Sequence, residues 1–163
     1  LLIFDEPFSG FDPINANVLK REILRLRDEG ATVIFSTHNM ASVEELCDNI
    51  SLINKSHNIL TGSVRELRRN FSDNSFEFSF LGEQARLAEA LAPMTRECRS
   101  LGIDRDGFLS VSLKLNSADD LKLAIAKANE AVDLRSFRQV LPSMDEIFIR
   151  SVEMYNSNNS KQE

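Results

Sequence analysis

The sequence predicts a mixed α/β chain in two parts, a parallel-sheet α/β unit followed by a smaller α+β unit. Three observations predict it. Leu1-Leu2-Ile3-Phe4 is an unbroken run of large apolar residues, which suits a short strand buried on both faces, as in a parallel sheet. A second such run, Thr32-Val33-Ile34-Phe35, follows one helix-length later, and strand–helix–strand at this spacing is a βαβ unit with parallel strands. The pattern then changes: Phe76-Glu77-Phe78-Ser79-Phe80 alternates strictly, as a half-buried strand does.

In chain order, Asp12-Pro13 opens the first helix, because Asp at the N-cap accepts backbone N–H bonds and Pro at the first helical position loses none. Ile14, Val18, Leu19, Ile23 and Leu26 recur at helical spacing, and Gly30 sits at the stop. Ser42 and Glu45 read as a capping box for a helix bearing Val43, Leu46 and Cys47. Asn49–Asn54 alternates like a strand, Asn54–Asn58 reads as a hairpin turn, and Ile59-Leu60-Thr61 returns. Ser63 and Glu66 start a short helix through Leu67.

A polar stretch, residues 71–74, suits a linker between a first domain, 1–70, and a second, 75–155. Within the second, strand 76–80, helix 84–91, strand 96–103, turn 104–107, strand 108–115, a helix capped by Ser117 and Asp120, and strand 134–141 follow in order. That is βαββαβ, the ferredoxin-like arrangement. A final helix starts at Ser143 with Ile147, Phe148 and Val152, and residues 156–163 read as a disordered tail. Asp104, Asp106, Asp119 and Asp120 fit a hydrated turn and a helix start better than a cation site.

Composition narrows the function classes. With 42% hydrophobic and 27% charged residues, 163 residues can bury a real core, and no apolar run approaches a membrane span. The net charge of −6 argues against a nucleic-acid surface. Cys47 and Cys98 stand far apart in no metal-ligand spacing and read as reduced, partly buried thiols. The opening in mid-strand, without Met, reads as a fragment or truncation of a longer chain.

The chemistry concentrates at the first strand's end. Asp5 and Glu6 are adjacent carboxylates where a buried strand stops, and an ionised carboxylate is costly to bury without compensation. Ligands of open α/β sheets sit beyond the carboxyl ends of the strands. Such a pair suits a Mg²⁺–nucleotide site, one carboxylate anchoring the hydrated metal and the other accepting a proton from water.

Leu1 to Glu6 resembles the Walker B strand of an ATP-binding-cassette (ABC) ATPase, Ser9-Gly10-Phe11-Asp12 its D-loop, and Ser36-Thr37-His38 its switch-histidine loop. Leu141-Pro142-Ser143-Met144-Asp145-Glu146-Ile147-Phe148 resembles the closing motif of bacterial ABC exporters of the drug- and sodium-extrusion type. The resemblance implies the C-terminal part of a P-loop NTPase followed by the ferredoxin-like domain. It implies that Asp5 holds Mg²⁺ through water, Glu6 is the general base, and His38 senses the γ-phosphate of ATP. Ser9, Gly10 and Asp12 would then cross a nucleotide-sandwiched dimer, with Asp12 capping its helix through one oxygen and presenting the other. The implied protein is an ATPase coupled to transport, at the inner face of the cell membrane. Its implied partners are a transmembrane permease and a second ATP-binding subunit, in a homodimer or heterodimer, with no nucleic acid. No GxxxxGK[ST] phosphate loop and no Leu-Ser-Gly-Gly-Gln signature occur in the 163 residues, so these residues alone are expected to be inactive. The rival readings are a soluble ABC ATPase acting on ribosome or DNA, and a standalone ligand-binding or interaction module.

Overall fold

A computed structural model describes residues 1–159, which divide into two compact units: Leu1–Asn70 with the C-terminal helix, and Phe71–Pro142. In the first, β1 (Leu2–Asp5) and β2 (Val33–Ser36) pair in parallel through α1 (Pro13–Asp28), with Asp5 opposite Ser36. Asp12 caps α1, Pro13 occupies its first turn, and Gly30 at φ +95° follows its end, where a residue without Cβ is favoured. A hairpin of β3 (Asn49–Asn54) and β4 (His57–Ser63) follows α2 (Met40–Leu46), and α3 (Val64–Asn70) follows the hairpin. The hairpin turns on Lys55 and Ser56 alone, both at positive φ, so the tight two-residue geometry forms without the usual glycine.

Two readings change here. The first strands are not buried on both faces: Ile3 is 70% and Ile34 54% exposed, while their neighbours Phe4 and Phe35 are half-buried. Ser42 does not cap α2. The helix starts three residues earlier because the Asn39 side chain accepts from the Ser42 N–H at 3.1 Å, which leaves Ser42 buried and Glu45 paired with Lys20.

The second unit is β5 (Ser75–Leu81), α4 (Gln84–Leu91), β6 (Thr95–Ile103), β7 (Leu109–Leu115), α5 (Leu121–Ala131) and β8 (Asp133–Gln139). Its sheet order is β6-β7-β5-β8 with every adjacent pair antiparallel, which makes two interleaved β-α-β halves, each split by a strand of the other. Phe76, Phe78 and Phe80 of β5 and Val111, Leu113 and Leu115 of β7 point to one face and bury against Leu87, Leu91, Ala124 and Ala128 of the helices. On the opposite face Glu77 pairs with Arg138 directly across β5 and β8.

The expected linker belongs to this unit: Asp73 pairs with Lys114 at 2.7 Å, and the Asn74 carbonyl accepts from the Leu115 N–H. The last helix, α6 (Met144–Asn159), belongs instead to the first unit, not to a 75–155 domain. It also carries helix through Asn156–Asn159, where a tail was expected, while residues 160–163 lie outside the described residues.

Candidate functional site

The parallel register brings the ends of β1 and β2 together, and with them three of the predicted residues. Asp5 is exposed, and one of its oxygens accepts a hydrogen bond from the Ser36 hydroxyl. Glu6 lies one residue past the strand at φ +45°, a left-handed conformation that costs a residue with a side chain on the order of 1 kcal/mol. Its own contacts hold it there. The Glu6 N–H donates to the Ser36 carbonyl at 3.0 Å. Glu6 Oε1 accepts from the His38 N–H at 3.0 Å and lies 2.6 Å from His38 Nδ1, and Oε2 accepts from the Thr37 hydroxyl at 3.2 Å.

An ionised carboxylate only accepts, so Nδ1 carries the proton of that contact, and in neutral imidazole Nε2 is then the acceptor nitrogen. The His38 side chain is 86% exposed and that of Glu6 35%. The His38 ring hydrogen bond is the main influence holding the Glu6 carboxyl below its ordinary value; desolvation opposes it, and the Thr37 hydroxyl adds to the lowering. The arrangement offers an anionic acceptor beside an imidazole, at the sheet edge where α/β folds bind ligands.

Ser9, Gly10 and Asp12 form the next segment and are exposed, and no side-chain bond to the Glu6–His38 pair is shown for them. The Ser9 N–H donates to the Glu6 carbonyl at 3.0 Å, and Gly10 at φ +79° completes the turn. Asp12 Oδ1 accepts from the N–H groups of Ile14 and Asn15, and Oδ2 accepts from the Asn15 side chain at 2.6 Å. Both oxygens are therefore engaged within the helix start, unlike the division of labour expected for them. Asn15's backbone and then its side chain hold the Asp12 carboxyl below its ordinary value.

Sequence reasoning gave no role to Ser36 and Thr37, which bond Asp5 and Glu6 respectively. The available signal was their place beside His38 in a loop after a strand parallel to β1. The donor set suits Mg²⁺, which is held by one or two carboxylates plus substrate phosphates rather than a protein cage. Among the described residues no cluster of three or more His, Cys, Asp or Glu side chains could form such a cage.

Comparison with known proteins places the chain in a family. The family described as "ATP-binding protein DrrA1-3-like, C-terminal domain" matches residues 62–152. An uncharacterised ABC transporter ATP-binding protein of Alkalihalophilus pseudofirmus is 32% identical over 93% of this chain and 54% of its own length. The ABC transporter ATP-binding protein YhaQ of Bacillus subtilis is 30% identical over 93% of this chain and 48% of its own. A fluoroquinolones export ATP-binding protein of Mycobacterium tuberculosis is 34% identical over 55% of this chain and 30% of its own. The chain belongs to the ABC transporter ATP-binding proteins with a DrrA1-3-like C-terminal domain. It spans about half the length of the first two relatives.

Proposed function

We propose that residues 1–70 carry the hydrolytic edge of an ATPase subunit that drives transport through a separate membrane permease. The observation that carries the reading is the convergence of Glu6 and His38 beyond the ends of two parallel strands, with Asp5 beside them. Glu6 is the base that takes a proton from the water attacking the γ-phosphate. His38 orients that water or the phosphate through an imidazole nitrogen, and Thr37 fixes the second carboxylate oxygen. Asp5, oriented by the Ser36 hydroxyl, would hold Mg²⁺ through water, and the ion would neutralise phosphate charge. Phosphoryl transfer asks the protein mainly for position and charge, which is what these groups supply.

His38 bonded to Glu6 is a resting arrangement in this reading, and the base is released when nucleotide takes over the imidazole. Ser9, Gly10 and Asp12 face a second ATP-binding subunit, through exposed backbone and the turn rather than through a spare Asp12 oxygen. Export is the favoured direction, since a relative is named for export and residues 141–148 resemble an exporter motif. Among the described residues no helix is long and apolar enough to cross a membrane, and the reading puts this protein at the inner face of the cell membrane beside its permease.

The test is Mg²⁺-dependent ATP hydrolysis by the full natural chain, wild type against Glu6→Gln. Loss of roughly 10²–10⁴ in kcat is expected, with ATP-dependent dimerisation retained. Equal rates would refute the assignment. The 163 residues alone are expected to show no hydrolysis, and tight Mg²⁺-dependent ATP binding by them would overturn that part.

A further inference from the structure

The first turn of α6 is joined to the first unit by a contact separate from the sheet edge. The main-chain N–H of Met144 donates to Glu44 Oε1 at 2.6 Å, and Glu44 Oε2 pairs with Arg68 of α3 at 3.0 Å. Helix starts leave several N–H groups without intrahelical partners, and neighbouring side chains or water usually serve them. Here Ser143 and Glu146 form a capping box, yet the Met144 N–H is served by a carboxylate one hundred residues earlier. The turn also carries Asp145 and Glu146, and Arg68 offsets the repulsion that a third carboxylate meets there. The Glu44 side chain is only 25% exposed, and its helix buries Val43 and Leu46 beside it.

The other end of α2 reaches the site. Asn39, its N-cap, follows His38 directly; its N–H donates to Thr37 Oγ1 at 3.1 Å, and Thr37 in turn donates to Glu6. Seven helical residues span only about 10 Å, too short to absorb a displacement by bending. We infer that Glu44 is a positioning residue for the Glu6–His38 pair, holding α2 and the His38 loop in register by clamping the start of α6. The clamp closes at the second residue after Pro142, where the second unit ends, so that unit is covalently next to it. The inference rests on the reading of Glu6 and His38 as the hydrolytic pair.

The test is single-turnover ATP hydrolysis by the full natural chain, in wild type, Glu44→Ala, Glu44→Gln, His38→Ala and the Glu44→Ala/His38→Ala double variant. Glu44→Ala should lower the rate roughly fivefold or more, with KM for ATP within about twofold, the scale of coupling carried by packed networks. Glu44→Gln should keep more than about half the wild-type rate, because its amide oxygen still accepts from Met144. On the His38→Ala background the Glu44→Ala change should add nothing, because residues acting through one group are non-additive. An unchanged rate in Glu44→Ala, or an undiminished loss on the His38→Ala background, overturns the inference. If Glu44→Ala does not fold, Arg68→Met carries the same pair of comparisons. Glu6→Gln run alongside separates the failures: if it matches wild type the site reading falls, and if it alone is inactive only the role of Glu44 falls.

Discussion

The two units handle apolar surface in opposite ways. In the second, Phe78, Phe80, Leu87, Leu91 and Val111 are wholly buried between one face of a four-stranded sheet and two helices, and charge pairs such as Glu77–Arg138 occupy the opposite face. In the first, β1 and β2 form a two-stranded pair with one apolar face open at Ile3 and Ile34. The candidate chemistry lies entirely in the open unit, including Glu6 with its left-handed backbone. Strained residues persist where surrounding contacts over-determine them, and around Glu6 those contacts are polar bonds from Ser36, Thr37 and His38 rather than packing. Local stability is uneven within proteins, and functional segments are drawn from its low end. The difference between the units is therefore one of what holds them, apolar packing around Phe78 and polar bonds around Glu6.

The comparison breaks most visibly in the second core. Phe78→Ala removes a fully buried ring and should cost about 3–5 kcal/mol, enough to unfold this unit or nearly so. Amide hydrogen exchange resolves the effect by region. Protection should collapse across β5 and β7 while the Asn39-capped helix α2 keeps most of its own. Loss of protection in both units together would show that they unfold as one, and the division proposed above would fail.

The cysteines sharpen the contrast at a smaller scale and in the reverse sense, since the closed unit carries the exposed thiol. Cys47 is half-buried, and desolvation with the nearby Asp48 charge pushes its thiol up to about 11. Cys98 lies on the outer strand β6 and is exposed, against the expectation of a partly buried thiol, with a smaller upward push from desolvation. Only the thiolate reacts, so at pH 8 iodoacetamide should modify Cys98 at least about tenfold faster than Cys47. Mass spectrometry of timed samples reads the order directly, and equal rates would mean that α2 opens as readily as an edge strand.

How far the sequence foretold these features depended on whether they were local. Phe76, Phe78 and Phe80 declare their strand because alternation is itself the signal of one buried face. The first helix was equally legible, since Asp12-Pro13 and Gly30 mark its ends by short-range chemistry. Leu2 to Phe4 and Val33 to Phe35 are apolar on both sides, so their pattern announced two buried faces, and nothing in the run itself distinguishes a covered face from an open one. The start of α2 is ambiguous in the sequence because Asn39 and Ser42 are both competent caps, and the structure uses Asn39. Asp5 and Glu6 are legible as two carboxylates ending an apolar strand and His38 through motif resemblance, but the bonds of the carboxylates to Ser36 and Thr37 follow only from the register of β1 on β2. Glu44 left no local signal, because its partner lies one hundred residues away and is a backbone N–H.

The smallest effect tests the open face itself. Ile34 is 54% exposed, opposite Ile3 in the parallel register, so Ile34→Ser gives up little burial and leaves no buried hydroxyl. In the 163-residue chain its thermal stability should change by no more than about 0.5 kcal/mol, the ordinary range for surface sites. In the full natural chain the same substitution should cost about 1–3 kcal/mol if the extended protein covers this face, because it would then remove buried methyl groups and bury a hydroxyl. A near-neutral result in both would mean that the apolar face of β1 and β2 stays in water even in the longer protein. The parallel pair would then keep one face in water, and the residues beyond its strand ends would have to work without a layer packed over that face.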